Sequence, residues 1–362
     1  MTKVTRLTEY MEVICNRPYM QNEHHVMNQN KSNAIRSEFE DLLFEAKDTK
    51  ARLPQRKVKN DKLSAFIKQY AIPLYAYAYR IKNPQDSKNQ EANERTFFYR
   101  GVNNSTYLIA PGIYRKGEKH DENFYFNEIS VRCPQTFRTL TNVEKLTYMQ
   151  HYGCPTRLLD ITTNPLVALY FACAGENDSD GAIYIFAVNK SDVRYANSDR
   201  VQMLATLAEF RASEQELFWN AAYENVVENK FPQQSNGKYR EKMFEQFYHA
   251  IKRHNAAFEM EIVPLDLLTP QFVQPNRDNP RILKQDGAFI ISGLDASDKE
   301  SDNKIREFLV RELIIPKEAK EQLRKELEYV GINQASHFPE VDKVADYLRK
   351  RFDNKKSIIQ MG

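Results

Sequence analysis

Apolar residues along the chain recur with two periods, and these divide it into strands and helices. Short runs rich in aromatic and β-branched residues, TFFY at 96–99, AIYIFAV at 182–188, VPLDLL at 263–268 and AFII at 288–291, predict strands. Helices are predicted where a capping signal meets a 3.6-residue period. Thr141 followed three residues later by Glu144 is a capping-box pattern; Val143, Leu146 and Met149 supply the apolar stripe behind it, and Gly153 closes the helix. Helical patterns also fill 201–229 and 240–258, the second with Met243, Phe247, Ile251 and Phe258 near one stripe. Near the end of the chain an alternating strand, FLVRELIIP at 308–316, precedes the helix KEAKEQLRKELEYV. Gly331 stops that helix, and another begins at about Glu340.

This order of elements predicts an α+β fold with a mixed or antiparallel central sheet and surrounding helices. Residues 1–62 read as a polar, helical lead-in that ends in a basic linker. From Lys50 to Lys62 there are six basic residues against the single acid Asp61, and Pro54 breaks any helix there. Such a run is either a solvated linker or a phosphate-binding arm. The core spans 63–300, and 301–362 form a strand-helix cap packed on it.

Composition narrows the class of function. Among 362 residues, 52 Lys and Arg face 49 Asp and Glu, so no overall field holds the chain on nucleic acid or anionic lipid, and any basic site is local. The longest mainly apolar run, 165–174, is about half of the ~20 residues that cross a bilayer, and the N-terminus lacks a secretory signal. Cys15, Cys133, Cys154 and Cys173 form no C-x-x-C pair, which predicts free thiols in a reducing, cytosolic compartment. The histidines make no H-E-x-x-H, which argues against a metal, and the 11 glycines make neither a dinucleotide fingerprint nor a P-loop.

Chemistry concentrates in three places. In MQHYGCPTRLLDITTNPLVALYFACAG, at 149–175, Asn164 and Pro165 start a helix after Thr162 and Thr163. Its first-turn amides, with Arg157 nearby, would suit a phosphate; alternatively Thr162 and Asn164 merely cap a buried helix while Arg157 pairs with Asp160. Asp160 lies among Leu158, Leu159 and Ile161, which predicts a partly buried carboxylate that orients Arg157 or His151, or serves as a base. His151, at a helix end, is either a general base or a satisfied core residue. Tyr99-Arg100-Gly101 ends an apolar strand and puts a guanidinium where the backbone can approach a ligand; the other reading is an arginine bridging carboxylates. In NPRILKQDGAFIISG, at 279–293, Arg281 and Gln285 lead through an Asp-Gly turn into a strand.

Together these segments resemble the FRG-domain family, named for an aromatic-Arg-Gly motif, here Tyr99-Arg100-Gly101. APGIYR at 110–115, QHYGCPTRLLDITTNPLVALYFAC at 150–173, DGAIYIF at 180–186, RILKQDGAF at 281–289 and GINQASHFPEVD at 331–342 follow the family order. Ile161 stands where the family commonly has tryptophan. The resemblance implies a bacterial cytosolic effector in a toxin or phage-defence setting. A further likeness is to ADP-ribosyltransferases, onto whose strand-end Arg-Gly and Ser/Thr-rich strand Arg100 and Thr162-Thr163 map. Their glutamate before the final strand has no counterpart, since Arg281, Gln285 and Asp286 occupy that region. These likenesses imply a nucleotide ligand, with NAD as cofactor, bound by Arg100, Gly101, Arg157, Thr162, Thr163, Arg281 and Gln285, with Arg100, Asp160 and His151 as catalytic residues. The competing expectation is a non-enzymatic module that contacts nucleic acid or a protein through the basic stretches 50–62 and 343–356. Neither reading involves a membrane or a metal.

Overall fold

Every strand that the apolar pattern predicts, except one, falls into a single sheet. The structure is a computed structural model that describes residues 2–16, 95–115, 121–175, 178–227, 242–258, 262, 264–277, 279–295 and 297–360. The strands are β1 (Thr2–Lys3), β2 (Arg95–Val102), β3 (Leu158–Thr162), β4 (Gly181–Asn189), β5 (Arg194–Tyr195), β6 (Gln271–Gln274), β7 (Gly287–Ile291) and β8 (Leu309–Ile315). They lie in the order β1-β8-β4-β2-β3-β7-β6-β5. The β1–β8 and β5–β6 pairs are parallel and the others antiparallel, so the architecture is α+β around a mixed sheet. The basic linker at 50–62 and most of the lead-in fall outside the described residues.

The helices are α1 (Leu7–Asn16), α2 (Glu122–Arg132), α3 (Pro134–Phe137), α4 (Asn142–His151), α5 (Pro165–Cys173), α6 (Asp199–Thr206), α7 (Ala212–Val227) and α8 (Lys242–His254). After these come α9 (Pro280–Lys284), α10 (Asp298–Arg306), α11 (Lys320–Tyr329), α12 (Gln334–His337) and α13 (Val341–Gln360). The capping box at Thr141 forms in both directions, and Gly153 and Gly331 take the left-handed backbone that stops a helix.

The exception is 263–268. The segment is a 3-10 helix over Pro264–Leu268, because proline cannot donate to a strand ladder and Leu267 and Leu268, adjacent in sequence, are both buried. The strand comes later, at β6. In the other direction, β3 carries no alternation to announce it. It lies between β2 and β7 and is covered on both faces, so Leu158, Leu159, Ile161 and Thr162 are all buried.

Helix α5 lies unusually close to the sheet. A Cβ at Gly101 would stand 1.8 Å from the Ala168 carbonyl oxygen, and one at Gly181 would stand 2.3 Å from that of Ala172. Two glycines therefore let the helix backbone rest on β2 and β4. Leu169, Ala168 and Cys173 pack there with Val4, Tyr10 and Ile14 from the chain start and with Leu313, Leu323 and Leu327 from near its end. All four cysteines are free thiols.

Candidate ligand-binding site

The junction between β3 and α5 is tied to the turn before β7, and that tie builds one side of a cavity. Asp286 has φ 45°, a left-handed conformation that aspartate tolerates and that Asp-Gly turns favour. Its carbonyl oxygen accepts from Thr163 N at 3.1 Å and from Thr163 Oγ1 at 3.3 Å, and its Oδ2 accepts from Asn164 Nδ2 at 3.1 Å. Thr162 Oγ1 donates to the Gln285 carbonyl at 2.7 Å and accepts from Asn164 N at 3.0 Å. These bonds hold α9 and Gln285 beside the end of β3.

The cavity that results has a volume of about 240 Å³. Arg100 and Gly101 reach it from β2, Asp160 and Thr162 from β3, His151 from α4, and Arg281 and Gln285 from α9 and the residue after it. Thr147 and Gln150 join His151 on one face of α4, and Phe171 and Asn279 complete much of the wall. Sequence reasoning passed over Thr147 and Gln150; Thr147 stands three residues before Gln150 and four before His151, and that spacing is the signal that could have found them.

Arg100 is the floor. Its Nη1 donates to the Asp160 carbonyl at 2.5 Å, and its Nε is buried without a hydrogen-bond partner. It forms no ion pair among the described residues, so it does not bridge carboxylates. Burial pulls the guanidinium pKa down to about 10, against the opposing attraction of Asp160. Arg281 is also outside any ion pair among the described residues; its guanidinium stands 4.6 Å from the centre of the Phe338 ring. His151 Nε2 lies 3.4 Å from Glu340 Oε1. Burial lowers the His151 pKa, the charge of Arg281 lowers it further, and Glu340 pulls the other way.

Three expectations are corrected here. Arg157 does not reach the cavity: it is fully buried, and its Nε and Nη2 grip Glu122 at 3.0 Å and 2.5 Å. Its guanidinium is taken by Glu122 from the start of α2, and no ion pair to Asp160 forms. Asp160 is exposed rather than half-buried, and lines the cavity. Thr163 spends its hydroxyl and its amide on Asp286 and is not part of the lining. The start of α5 offers less to an anion than its sequence promises, because Pro165 has no amide hydrogen and Asn164 Oδ1 takes that of Leu166 at 3.0 Å.

Among the described residues no group of three or more His, Cys, Asp or Glu could hold a metal ion. No helix among them is long and apolar enough to cross a membrane.

An α+β protein with an arginine-floored cavity where β2, β3 and α4 converge is the class these features define. Residues 95–181 match the FRG domain, so the chain carries that domain from the first residue of β2 to the first of β4. Arg100, Gly101, His151, Asp160 and Thr162 fall within the match, while Arg281 and Gln285 lie beyond it. No curated protein and no solved structure matches the chain.

Proposed function

We propose that the cavity binds a phosphate-bearing nucleotide, with NAD as the ligand and transfer of its ADP-ribose as the reaction. The observation that carries this reading is the Arg100 guanidinium, half-buried at the cavity floor with its Nε out of reach of solvent and outside any ion pair among the described residues, with Arg281 facing the same space. A partly desolvated cation that Asp160 attracts only from outside ion-pair distance is incompletely compensated, and an anionic ligand would add to that compensation. Two planar forks of donors suit phosphate oxygens better than carboxamide or sugar groups do. Asp160 adds an acceptor for a ribose hydroxyl, so the charge pattern fits a phosphate with its sugar.

The cavity lies below the roughly 300–1,000 Å³ that encloses a drug-sized ligand, so it takes one nucleotide half and leaves the rest outside. NAD supplies a reactive glycosidic bond when bound. The chain would hold its phosphates through Arg100 and Arg281, with Gln285 alongside and Thr162 fixing the Gln285 backbone through its hydroxyl, and would orient the ribose through Asp160. His151 is the titratable group placed to move a proton. The effector role in a toxin or phage-defence setting belongs to the same proposal and rests on the family resemblance alone.

The alternative, a module that reads nucleic acid through 343–356, draws less support. Lys343 pairs with Asp342 and Arg349 with Asp346, so part of that charge is neutralised locally. Calorimetric titration with NAD and ADP-ribose, together with a nicotinamide-release assay, tests the proposal. Arg100→Ala and Arg281→Ala should each weaken binding at least tenfold in protein that still melts cooperatively. Binding that survives both substitutions would refute it.

A further inference from the structure

One stretch of chain outside the FRG match, residues 333–340, touches four residues of the cavity wall. Its path is fixed by a reciprocal cap at α12: Asn333 Oδ1 accepts from Ser336 N at 3.0 Å, and Ser336 Oγ accepts from Asn333 N at 2.9 Å. The next residues then meet the cavity in sequence. The His337 carbonyl accepts from Gln285 Nε2 at 3.1 Å, and the buried His337 ring places Nδ1 3.3 Å from the Lys284 carbonyl. The Phe338 ring meets Phe171 edge to face and lies against the Arg281 guanidinium. Glu340 meets His151.

The Phe338–Arg281 contact has a chemical consequence. A carboxylate holding Arg281 would take the in-plane N–H groups, the same groups that bind phosphate. An aromatic face holds the guanidinium through its π surface and leaves that edge free. Both Arg281 and Phe171 line the cavity, so a guanidinium held in this way stands at the ligand site.

We propose that residues 333–340 buttress the wall of the ligand site from behind and that Phe338 is a positioning residue, holding Arg281 by its face so that its N–H edge meets a ligand phosphate. This rests on the nucleotide reading of the cavity. Phe338 itself touches no ligand; it acts through Arg281.

The test is a double-mutant cycle on the full chain, read as the affinity for ADP-ribose and for inorganic pyrophosphate. Phe338→Ala should weaken both by about threefold to tenfold, the size of a partly buried cation–π contact. Phe338→Leu, which keeps the apolar bulk and removes the π face, should lose as much, whereas Phe338→Tyr should restore binding. In an Arg281→Ala background the Phe338 substitutions should cost nothing further, since the two side chains act as a unit. No loss in Phe338→Leu, or a loss of the same size with and without Arg281, would overturn the positioning role while leaving the nucleotide reading intact. Failure of the unaltered chain to bind either probe would overturn the nucleotide reading, and the positioning role with it.

Discussion

Arg157 is fully buried and Arg100 half-buried, but what separates the two guanidiniums most is a counter-ion. Glu122 binds Arg157 through both carboxylate oxygens and also accepts from its backbone amide at 3.0 Å. Burial alone would lower the Arg157 pKa; the attraction of Glu122 outweighs it and the pKa rises. Substituting Glu122 with alanine strands that charge in the core, so the melting curve should record a loss of about 3–5 kcal/mol, with ligand affinity of the folded protein unchanged. The sequence showed that both arginines stand beside apolar runs, but the partner that decides their roles is 35 positions away from Arg157, beyond the reach of any local pattern. A second consequence concerns pH. Burial holds both His151 and His337 below the ordinary imidazole range, with Arg281 adding to the effect at His151. Well above the ordinary imidazole pKa of about 6.5 both are neutral whether the chain is folded or not, and they contribute nothing to the pH dependence. As pH falls toward and through that value the unfolded chain takes up protons first, so stability declines. Melting temperatures measured from pH 8 to pH 5 should fall on the acid side, and His337→Asn should flatten the slope.

Helix boundaries were legible because their signals are local. Thr141 with Glu144, Asn164 with Pro165, and the stop at Gly331 all act within a turn of the residues they cap. β3 was not, since a central strand covered on both faces has no alternation to read, and neither was the helical turn at Pro264–Leu268, whose apolar run fits either structure until packing decides. Gly101 shows how one residue can be singled out for one reason and needed for another. It lines the cavity, but its missing side chain is required by α5. Gly101→Ala would drive a Cβ into the Ala168 carbonyl, and since backbone cannot yield as a side chain can, α5 must lift from β2. The expected outcome is poor expression or a large drop in melting temperature rather than a selective loss of binding. Asn164→Ala is milder. It removes the cap on Leu166 N and the bond to Asp286 Oδ2, and should cost about 1–2 kcal/mol by denaturant titration. Because the Asp286 turn positions Gln285, the same variant should weaken ADP-ribose binding.

The sheet draws the two ends of the described chain into one core. β8 lies between β1 and β4, with Thr2 opposite Leu313 and Ile183 opposite the same residue on the other side. The apolar alternation at 308–316 announces a strand, but nothing near it tells which strands it joins, because that register is set by residues near 2 and near 183. The placement bears on how far residues 63–300 can stand as a core without 301–362. Ending the chain at residue 300 removes β8 and α11, uncovers the edge of β4, and strips Leu313, Ile315, Leu323 and Leu327 from the cluster that buries Val4, Tyr10 and Ile14. An exposed edge carrying Ile183 and Ile185 is a template for intermolecular pairing. The truncation also removes residues 333–340, and with them Phe338 from Arg281 and Glu340 from His151. The shortened chain should therefore aggregate on expression, while the full chain should lose its near-ultraviolet circular dichroism and its ligand affinity in one shared transition. A soluble 1–300 fragment with a sharp melt would show that β8 is an addition to the sheet rather than a part of its folding unit.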